Sequence, residues 1–341
     1  MIPKKTTIHF STASTHFYFG AAFTDLKAIV DQKQTILITD ETLFALHEKK
    51  FKGWRTIVIK SGEAYKNQAS IDSIIQQLIE FEADRKTTLV GIGGGVVTDM
   101  TGYVAAVYMR GLSFGFIPST ILAMVDASIG GKNGIDVGLY KNMVGVIRQP
   151  SFLLYDVAFL KTLPDHEWIN GFAEIIKHAC IKDASMFKQL QQHDIAYYQR
   201  KKKDLQLLIQ RNAKLKAKVV QQDEFEKGDR KLLNYGHTLG HALENLYELS
   251  HGQAIAIGMV YAAHLSQQNA GFKQVLQVIT LLEQYGLPTH IAFEAADVFA
   301  VLKMDKKREQ DTMNFVLLEK VGKGVVKPIQ LELLKSILDN S

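Results

Sequence analysis

The sequence predicts an α/β N-terminal domain, residues 1–160, followed by a mainly α-helical C-terminal domain, residues 161–341. Three observations predict it. Short β-branched runs alternate with helical periodicity through the first half. A glycine-rich turn joins one of those runs to an apolar helix. From Asp165 onward the periodicity is helical and alternating runs almost vanish.

The elements follow in order. The opening MIPKKTTIHF alternates polar and apolar residues and has no apolar h-region. It reads as a first strand, not a signal peptide. Thr35–Thr39, Thr56–Lys60 and Thr87–Gly91 read as strands because β-branched and aliphatic residues dominate them. Between the last two, Ile71, Ile74, Ile75, Leu78 and Ile79 fall at i, i+3, i+4, i+7 and i+8. That stripe belongs to a helix packed on a sheet. Strand, helix and strand at this spacing imply a parallel sheet. Residues 199–222 read as one long helix with a leucine and valine stripe, and its RKKK cluster as a solvated face. Phe315–Leu318 reads as a small strand near the end.

Composition bounds the function. Apolar residues are 47% and charged residues 22%, which excludes a disordered chain. A single cysteine, Cys180, excludes a disulfide scaffold and a multi-cysteine zinc site, and fits the cytoplasm. The net charge of +5 suits an anionic small molecule. With Lys+Arg at 40 and Asp+Glu at 35 it is weak evidence for nucleic acid, which usually leaves a concentrated basic face. The most apolar stretches, such as Ala254–Ala263, are shorter than the ~20 residues of a membrane span.

The turn Gly91-Ile-Gly-Gly-Gly95-Val-Val-Thr-Asp99 follows a predicted strand and opens a helix. Glycines let the backbone approach a ligand, and a helix N-terminus offers N–H groups and a positive dipole end to phosphate. The turn therefore suits a pyrophosphate, and the first domain is expected to be Rossmann-like and nucleotide-binding. It departs from the common dinucleotide fingerprint, because Val96 stands where a third small residue belongs. Asp40, at the end of the strand ITD, is placed to accept a ribose hydroxyl. A plain strand–helix turn would use the same glycines. Arg110, Pro118-Ser-Thr, Asp126, Gly130-Gly-Lys132 and Lys141-Asn142 form a second set suited to clamping an oxyanion.

The second half carries Glu174-Ile-Ile-Lys177-His178, then His237-Thr-Leu-Gly-His241-Ala-Leu-Glu244, then His251-Gly. Three imidazoles and a carboxylate among small residues suit a zinc site with an open position. Spacing alone makes His237 and His241, at i and i+4, the ligand pair.

The order GGGVVTD, MRG, PSTILAMVD, GGK, KN, AEIIKH, LNYGHTLGHALE, HG and MDKK resembles the 3-dehydroquinate synthases over residues 35–320. The resemblance implies conversion of 3-deoxy-D-arabino-heptulosonate 7-phosphate to 3-dehydroquinate and phosphate, with NAD and a divalent metal, zinc or cobalt. It places the metal on Glu174, His237 and His251, overriding the spacing argument, and leaves His241 to handle substrate or protons. It places NAD on Asp40, Glu63, Lys66, Gly93, Gly94, Gly95, Val96, Asp99, Ser119, Thr120, Lys132, Lys141, Asn142 and Thr162. Catalytic roles fall on Lys177, His241, Asp126, Arg230 and Asn234. Substrate contacts fall on Arg110, Lys132, Asn142, Lys216 and Lys306, with Lys307 the alternative to Lys306. It also implies a homodimer in which Arg110 reaches the neighbouring subunit's substrate phosphate.

Thr98, Ser119 and Ile147 depart from the family's usual glycine, threonine and aromatic, and Thr98 puts the local backbone of the turn in doubt. Another sugar phosphate cyclase, a metal-dependent polyol dehydrogenase and a non-catalytic NAD-binding protein are the competing readings. Arg110, Lys132, Lys177, Lys216 and Arg230 favour a substrate bearing phosphate and carboxylate. An intact metal set argues against a non-catalytic protein.

Overall fold

The computed structural model describes residues 4–138, 140–303, 308–309 and 311–338. The chain divides into two compact units, Met1–Glu167 with Lys202–Phe225, and Trp168–Lys201 with Glu226–Ser341. That division differs from a cut at residue 160: the helix that starts at Lys202 belongs with the first unit.

The first unit contains β1 (Thr6–His9), β2 (Ser14–Phe19), β3 (Thr35–Asp40), α1 (Glu41–Phe51), β4 (Arg55–Ile59), α2 (Gln68–Glu80), β5 (Thr88–Gly93), α3 (Gly95–Val107), β6 (Ser113–Pro118), β7 (Lys132–Val137), β8 (Tyr140–Ile147) and β9 (Phe152–Tyr155). Seven strands form a sheet in the order β1-β2-β9-β6-β5-β3-β4. The β1–β2 pair is antiparallel and the other pairings are parallel. Leu37, Val90, Ile92, Ile117 and Leu154 carry the core, with Phe23, Phe51 and Trp54 packed against them. Central strands buried on both faces explain the near-continuous aliphatic runs.

After β4 the chain crosses β3 to form β5, so the strand order reverses between β3 and β5. Ligands of open α/β sheets bind in the crevice at such a point, beyond the carboxyl ends of the strands. Register brings Thr39 of β3 level with Ile92 of β5, and Gly93 of β5 level with Pro118 of β6. Asp40, the glycine turn and Ser119 therefore lie along one edge of the sheet.

The 199–222 helix is two helices. The fourth, fifth and sixth helices are α4 (Asp165–Lys182), α5 (Ala184–Leu190) and α6 (Ile195–Arg200), and α7 (Lys202–Gln222) starts after a break at Lys201, φ −102°, ψ 73°. The lysine cluster straddles that break, so α7 opens with exposed cations while Leu205, Leu208, Ile209, Ala213, Ala217 and Val220 face inward.

Just past α7, Glu224 is 4% exposed. Its carboxylate accepts from the Thr12 backbone at 3.0 Å, Thr12 Oγ1 at 2.6 Å, Gln149 Nε2 at 2.8 Å and the Ser11 hydroxyl. It ties the β1–β2 loop and the approach to β9 to the end of α7. Glu224→Ala is expected to lower unfolding stability by about 2 kcal/mol, because the buried Gln149 amide and the Ser11 and Thr12 donors lose their shared acceptor. Urea denaturation checks this, and a loss below about 1 kcal/mol would contradict it.

The second unit adds α8 (His237–Leu246), α9 (His251–Ala270), α10 (Val275–Gln284), α11 (Ala295–Lys303), β10 (Arg308–Glu309), β11 (Thr312–Lys320), β12 (Lys323–Gln330) and α12 (Leu331–Leu338) to α5, α6 and most of α4. Phe315–Leu318 lies within β11, the middle of a three-stranded antiparallel sheet that the sequence pattern left out. Leu239, Leu243, Ile257, Leu265, Phe315, Leu317 and Leu334 form its core. Among the described residues no helix is long and apolar enough to cross a membrane.

Candidate active site

In the first unit, β5 runs into the glycine turn and α3 without a side-chain cap. A Cβ at Gly93 would lie 2.5 Å from the Val97 side chain, and one at Gly94 3.3 Å from Thr120, so only glycine keeps this turn tight. The first N–H groups of α3 are left to an external acceptor. Thr98 leaves the helix regular: it is fully buried and its hydroxyl donates to the Gly95 carbonyl at 3.0 Å. That settles the doubt its extra Cβ raised.

Lys66 is the centre of a polar cluster beside this turn. Its ammonium lies 2.7 Å from Asp99, 2.7 Å from Asn142 Oδ1 and 3.8 Å from Glu63. Burial works to lower the Lys66 pKa, but Asp99 and Glu63 prevail and raise it, so the ammonium stays charged. Asn142 adopts φ +55°, and its N–H donates to Asp136 at 2.6 Å, which bends the β7–β8 hairpin toward Lys66. Lys132 and Lys141 are exposed on that hairpin, Lys132 as the first residue of β7. Asp40 caps α1 through Leu43 N–H at 2.9 Å and accepts from Ser61 at 3.0 Å. Thr162 stands against His47, 2.8 Å away. The structure thus joins Glu63, Lys66, Asp99 and Asn142, while Asp40 and Thr162 have Ser61 and His47 as their partners.

Asp126 sits in a π-helical turn, Ala123–Ala127, a distortion frequent at functional sites. Lys216 of α7 reaches it, 2.8 Å from the carboxylate and 2.7 Å from the carbonyl. Arg110 is exposed in a left-handed stretch, Met109 φ +48°, Arg110 φ +65°, Gly111 φ +125°. Arg148 supports that stretch by donating to Ala105 O at 2.7 Å while lying over Phe114.

In the second unit, α4, α8 and α9 converge on Glu174, which is fully buried. One ligand atom from each of Glu174, His237 and His251 lies within 4.8 Å of the others. Glu174 Oε1 is 3.4 Å from His237 Nε2 and 3.3 Å from His251 Nε2. His237 Nδ1 lies 3.1 Å from the Tyr235 carbonyl, which can only accept, so Nδ1 carries the proton. Burial and the nearby Lys177 charge hold the His237 pKa well below its ordinary value, so the ring is neutral. Its Nε2 lone pair therefore faces a carboxylate oxygen, an arrangement that a bound cation reconciles. For His251, burial works to lower the pKa, but Glu174 and Glu244 prevail and raise it to about 9. The donor set fits a divalent metal.

Lys177, one turn along α4, pairs with Glu174. The His241 ring is 5.1 Å from that of His237, between centroids. Arg230 is buried in the turn Asp229–Asn234, and Asn234 donates to Glu226 at 2.5 Å. Glu226, at φ +59°, had no place in the sequence reading, and Glu244 was read as part of the histidine motif without a role of its own. Lys306 and Lys307 lie outside the described residues.

Residues 56–170 match the 3-dehydroquinate synthase N-terminal family and residues 171–308 the 3-dehydroquinate synthase C-terminal family. The 3-dehydroquinate synthase of Campylobacter concisus is 41% identical over 282 residues, 80% of this chain and 79% of that one. That of Pyrococcus abyssi is 40% identical over 284 residues, 83% and 84% of the two chains. Among solved structures, 2-deoxy-scyllo-inosose synthase complexed with carbaglucose-6-phosphate, NAD+ and Co2+ has a TM-score of 0.88 at 24% identity, covering 99% of this chain and 100% of that one. The 2-epi-5-epi-valiolone synthase of Streptomyces hygroscopicus, with NAD+ and Zn2+ bound, has a TM-score of 0.85 at 24% identity, covering 100% and 99%. The two structural likenesses speak for the fold. With the family match continuous across both units and relatives at 40% identity over most of their length, the chain belongs to the 3-dehydroquinate synthase family.

Proposed function

We propose that the first unit binds NAD, the second a divalent metal, and that together they convert 3-deoxy-D-arabino-heptulosonate 7-phosphate to 3-dehydroquinate and inorganic phosphate, a carbon–oxygen lyase reaction. The convergence of Glu174, His237 and His251 carries this reading within the family. When bound, zinc or cobalt acts as a Lewis acid toward substrate oxygens, and NAD supplies reversible oxidation of a secondary alcohol.

The remaining work falls to the chain's own residues. Glu174, His237 and His251 hold the metal. The uncapped N-terminus of α3, with Gly93, Gly94, Gly95 and Val96, takes the pyrophosphate. Asp40 takes a ribose hydroxyl, while Lys66, Asp99, Ser119, Thr120, Lys132, Lys141, Asn142 and Thr162 complete the nucleotide site with Glu63. Lys177, Lys216, Arg230 and Lys132 bind the phosphate and carboxylate with charge-assisted hydrogen bonds. Asp126 holds Lys216 in place, and Glu174 does the same for Lys177. His241 and Asn234 handle protons and substrate hydroxyls beside the metal. The same reading takes the enzyme to be a cytoplasmic homodimer in which the exposed Arg110 reaches the neighbouring subunit's substrate phosphate, and Lys306 contacts substrate.

Phosphate release from the heptulosonate phosphate tests the reading. Release should require both zinc and NAD, and sub-stoichiometric NAD should support many turnovers without net accumulation of NADH. NADH accumulating one-to-one with product would instead identify a polyol dehydrogenase.

A further inference from the structure

We propose that Glu244 is a positioning residue for the metal centre, holding the His251 ring so that Nε2 faces Glu174. The proposal rests on the metal reading above. His251 spans two carboxylates from different helices: Nε2 is 3.3 Å from Glu174 Oε1 of α4, and Nδ1 is 3.3 Å from Glu244 Oε2 of α8. The Glu244 side chain is only 10% exposed, so its carboxylate needs a polar partner that stays in place.

The backbone around His251 is fixed independently of Glu244. Ser250 and Gln253 form a capping box at the start of α9, and the Gly252 N–H donates to Asn170 Oδ1 at 2.5 Å. A Cβ at Gly252 would lie 2.5 Å from the Asn170 carbonyl, so α9 starts hard against α4. These contacts set where His251 begins, and Glu174 holds its ring at Nε2 alone, leaving Nδ1 to be fixed. Glu244 supplies that constraint. His237, His241 and Glu244 lie at i, i+4 and i+7 of α8, so one helix face presents both a metal ligand and the residue that orients another. A carboxylate on the distal nitrogen fixes the tautomer of a ligating imidazole and raises its basicity.

The same atoms allow a rival arrangement. One ligand atom from each of His241, Glu244 and His251 also lies within 4.8 Å of the others, so Glu244 could itself ligate a second ion through that set. The two roles differ in stoichiometry. Positioning gives one ion per chain; ligation gives two.

Zinc alone is the probe, titrated in competition with a chromogenic chelator against the unaltered chain, Glu244→Leu, Glu244→Gln and His237→Ala. The unaltered chain should bind one zinc. Glu244→Leu should weaken it about 10–100-fold, the usual cost of losing such a partner. Glu244→Gln keeps an acceptor oxygen and should recover most of the affinity. In the zinc-loaded protein, nitrogen NMR of labelled histidine should show His251 bound through Nε2 with Nδ1 protonated. Glu244→Leu should lose that signature while its thermal unfolding stays cooperative. Unchanged affinity and an unchanged His251 signature in Glu244→Leu would overturn the positioning role alone. Two zincs in the unaltered chain, one of them lost in Glu244→Leu, would replace it with ligation. Equal absence of binding in the unaltered chain and His237→Ala would overturn the metal reading and the proposal with it.

Discussion

His251→Ala is expected to leave the purified protein without its metal, whereas His241→Ala keeps the metal and loses turnover. The two histidines are close in space, their ring centroids 6.3 Å apart, so the contrast tests geometry rather than neighbourhood. His251 Nε2 faces Glu174 Oε1 alongside His237 Nε2, while His241 lies one turn beyond His237 on α8. Removing one of three protein ligands should cost several kcal/mol of a total of ~10–16 kcal/mol for a structural zinc site. That is at least about a hundredfold in affinity. Metal analysis of both purified variants decides the matter. Stoichiometric zinc retained in His251→Ala would sink the ligand assignment.

Gly258→Ala is expected to damage stability and metal affinity together. Gly258 lies in α9 against the start of α8. A Cβ there would sit 1.9 Å from the Gly236 carbonyl oxygen and 2.9 Å from the Gly240 nitrogen. Both are backbone atoms, so no side chain can swing aside. Gly236, at φ +79°, has no room to yield either, with the Ile255 carbonyl and Met259 facing it. The helices must separate, which costs about 3 kcal/mol or more. Because His237 begins α8 and His251 begins α9, separation also pulls two ligands apart. Urea unfolding of the metal-free protein and zinc titration of the folded one read the two effects. A wild-type midpoint in Gly258→Ala would show that the interface adapts, contrary to this expectation.

These glycines explain which parts of the molecule were legible in the sequence. The parallel sheet was legible because β3, β4 and β5 are local aliphatic runs and α2 carries a clean stripe. The glycine turn was legible because strand, turn and helix are contiguous. The metal set was not legible from spacing, because α4, α8 and α9 each supply one ligand and a non-local glycine contact sets their approach. Spacing sees only helical neighbours, so it paired His237 with His241; the family resemblance supplied His251. The sheet of β10, β11 and β12 was hidden for a related reason. Its edge strand β12, KGVVKPIQ, holds a proline and little alternation, as edge strands tolerate. Lys201 hid the break before α7, since a lysine run gives no stop signal.

The return of α7 to the first unit has a consequence for how the protein is made. A ribosome that has delivered residues 1–167 has not yet delivered Leu205, Leu208, Ile209 or the Glu224 anchor. The nascent sheet must wait, with the surface α7 will cover still open to water, while residues 168–201 of the other unit emerge. At ~5–20 residues per second that interval lasts seconds, long compared with strand and helix formation. The boundary near residue 170 is thus a boundary between related sequences and not a point at which folding of the first unit is complete. Chaperones that shield nascent chains have their window here, between the last strand and the helix that completes the fold.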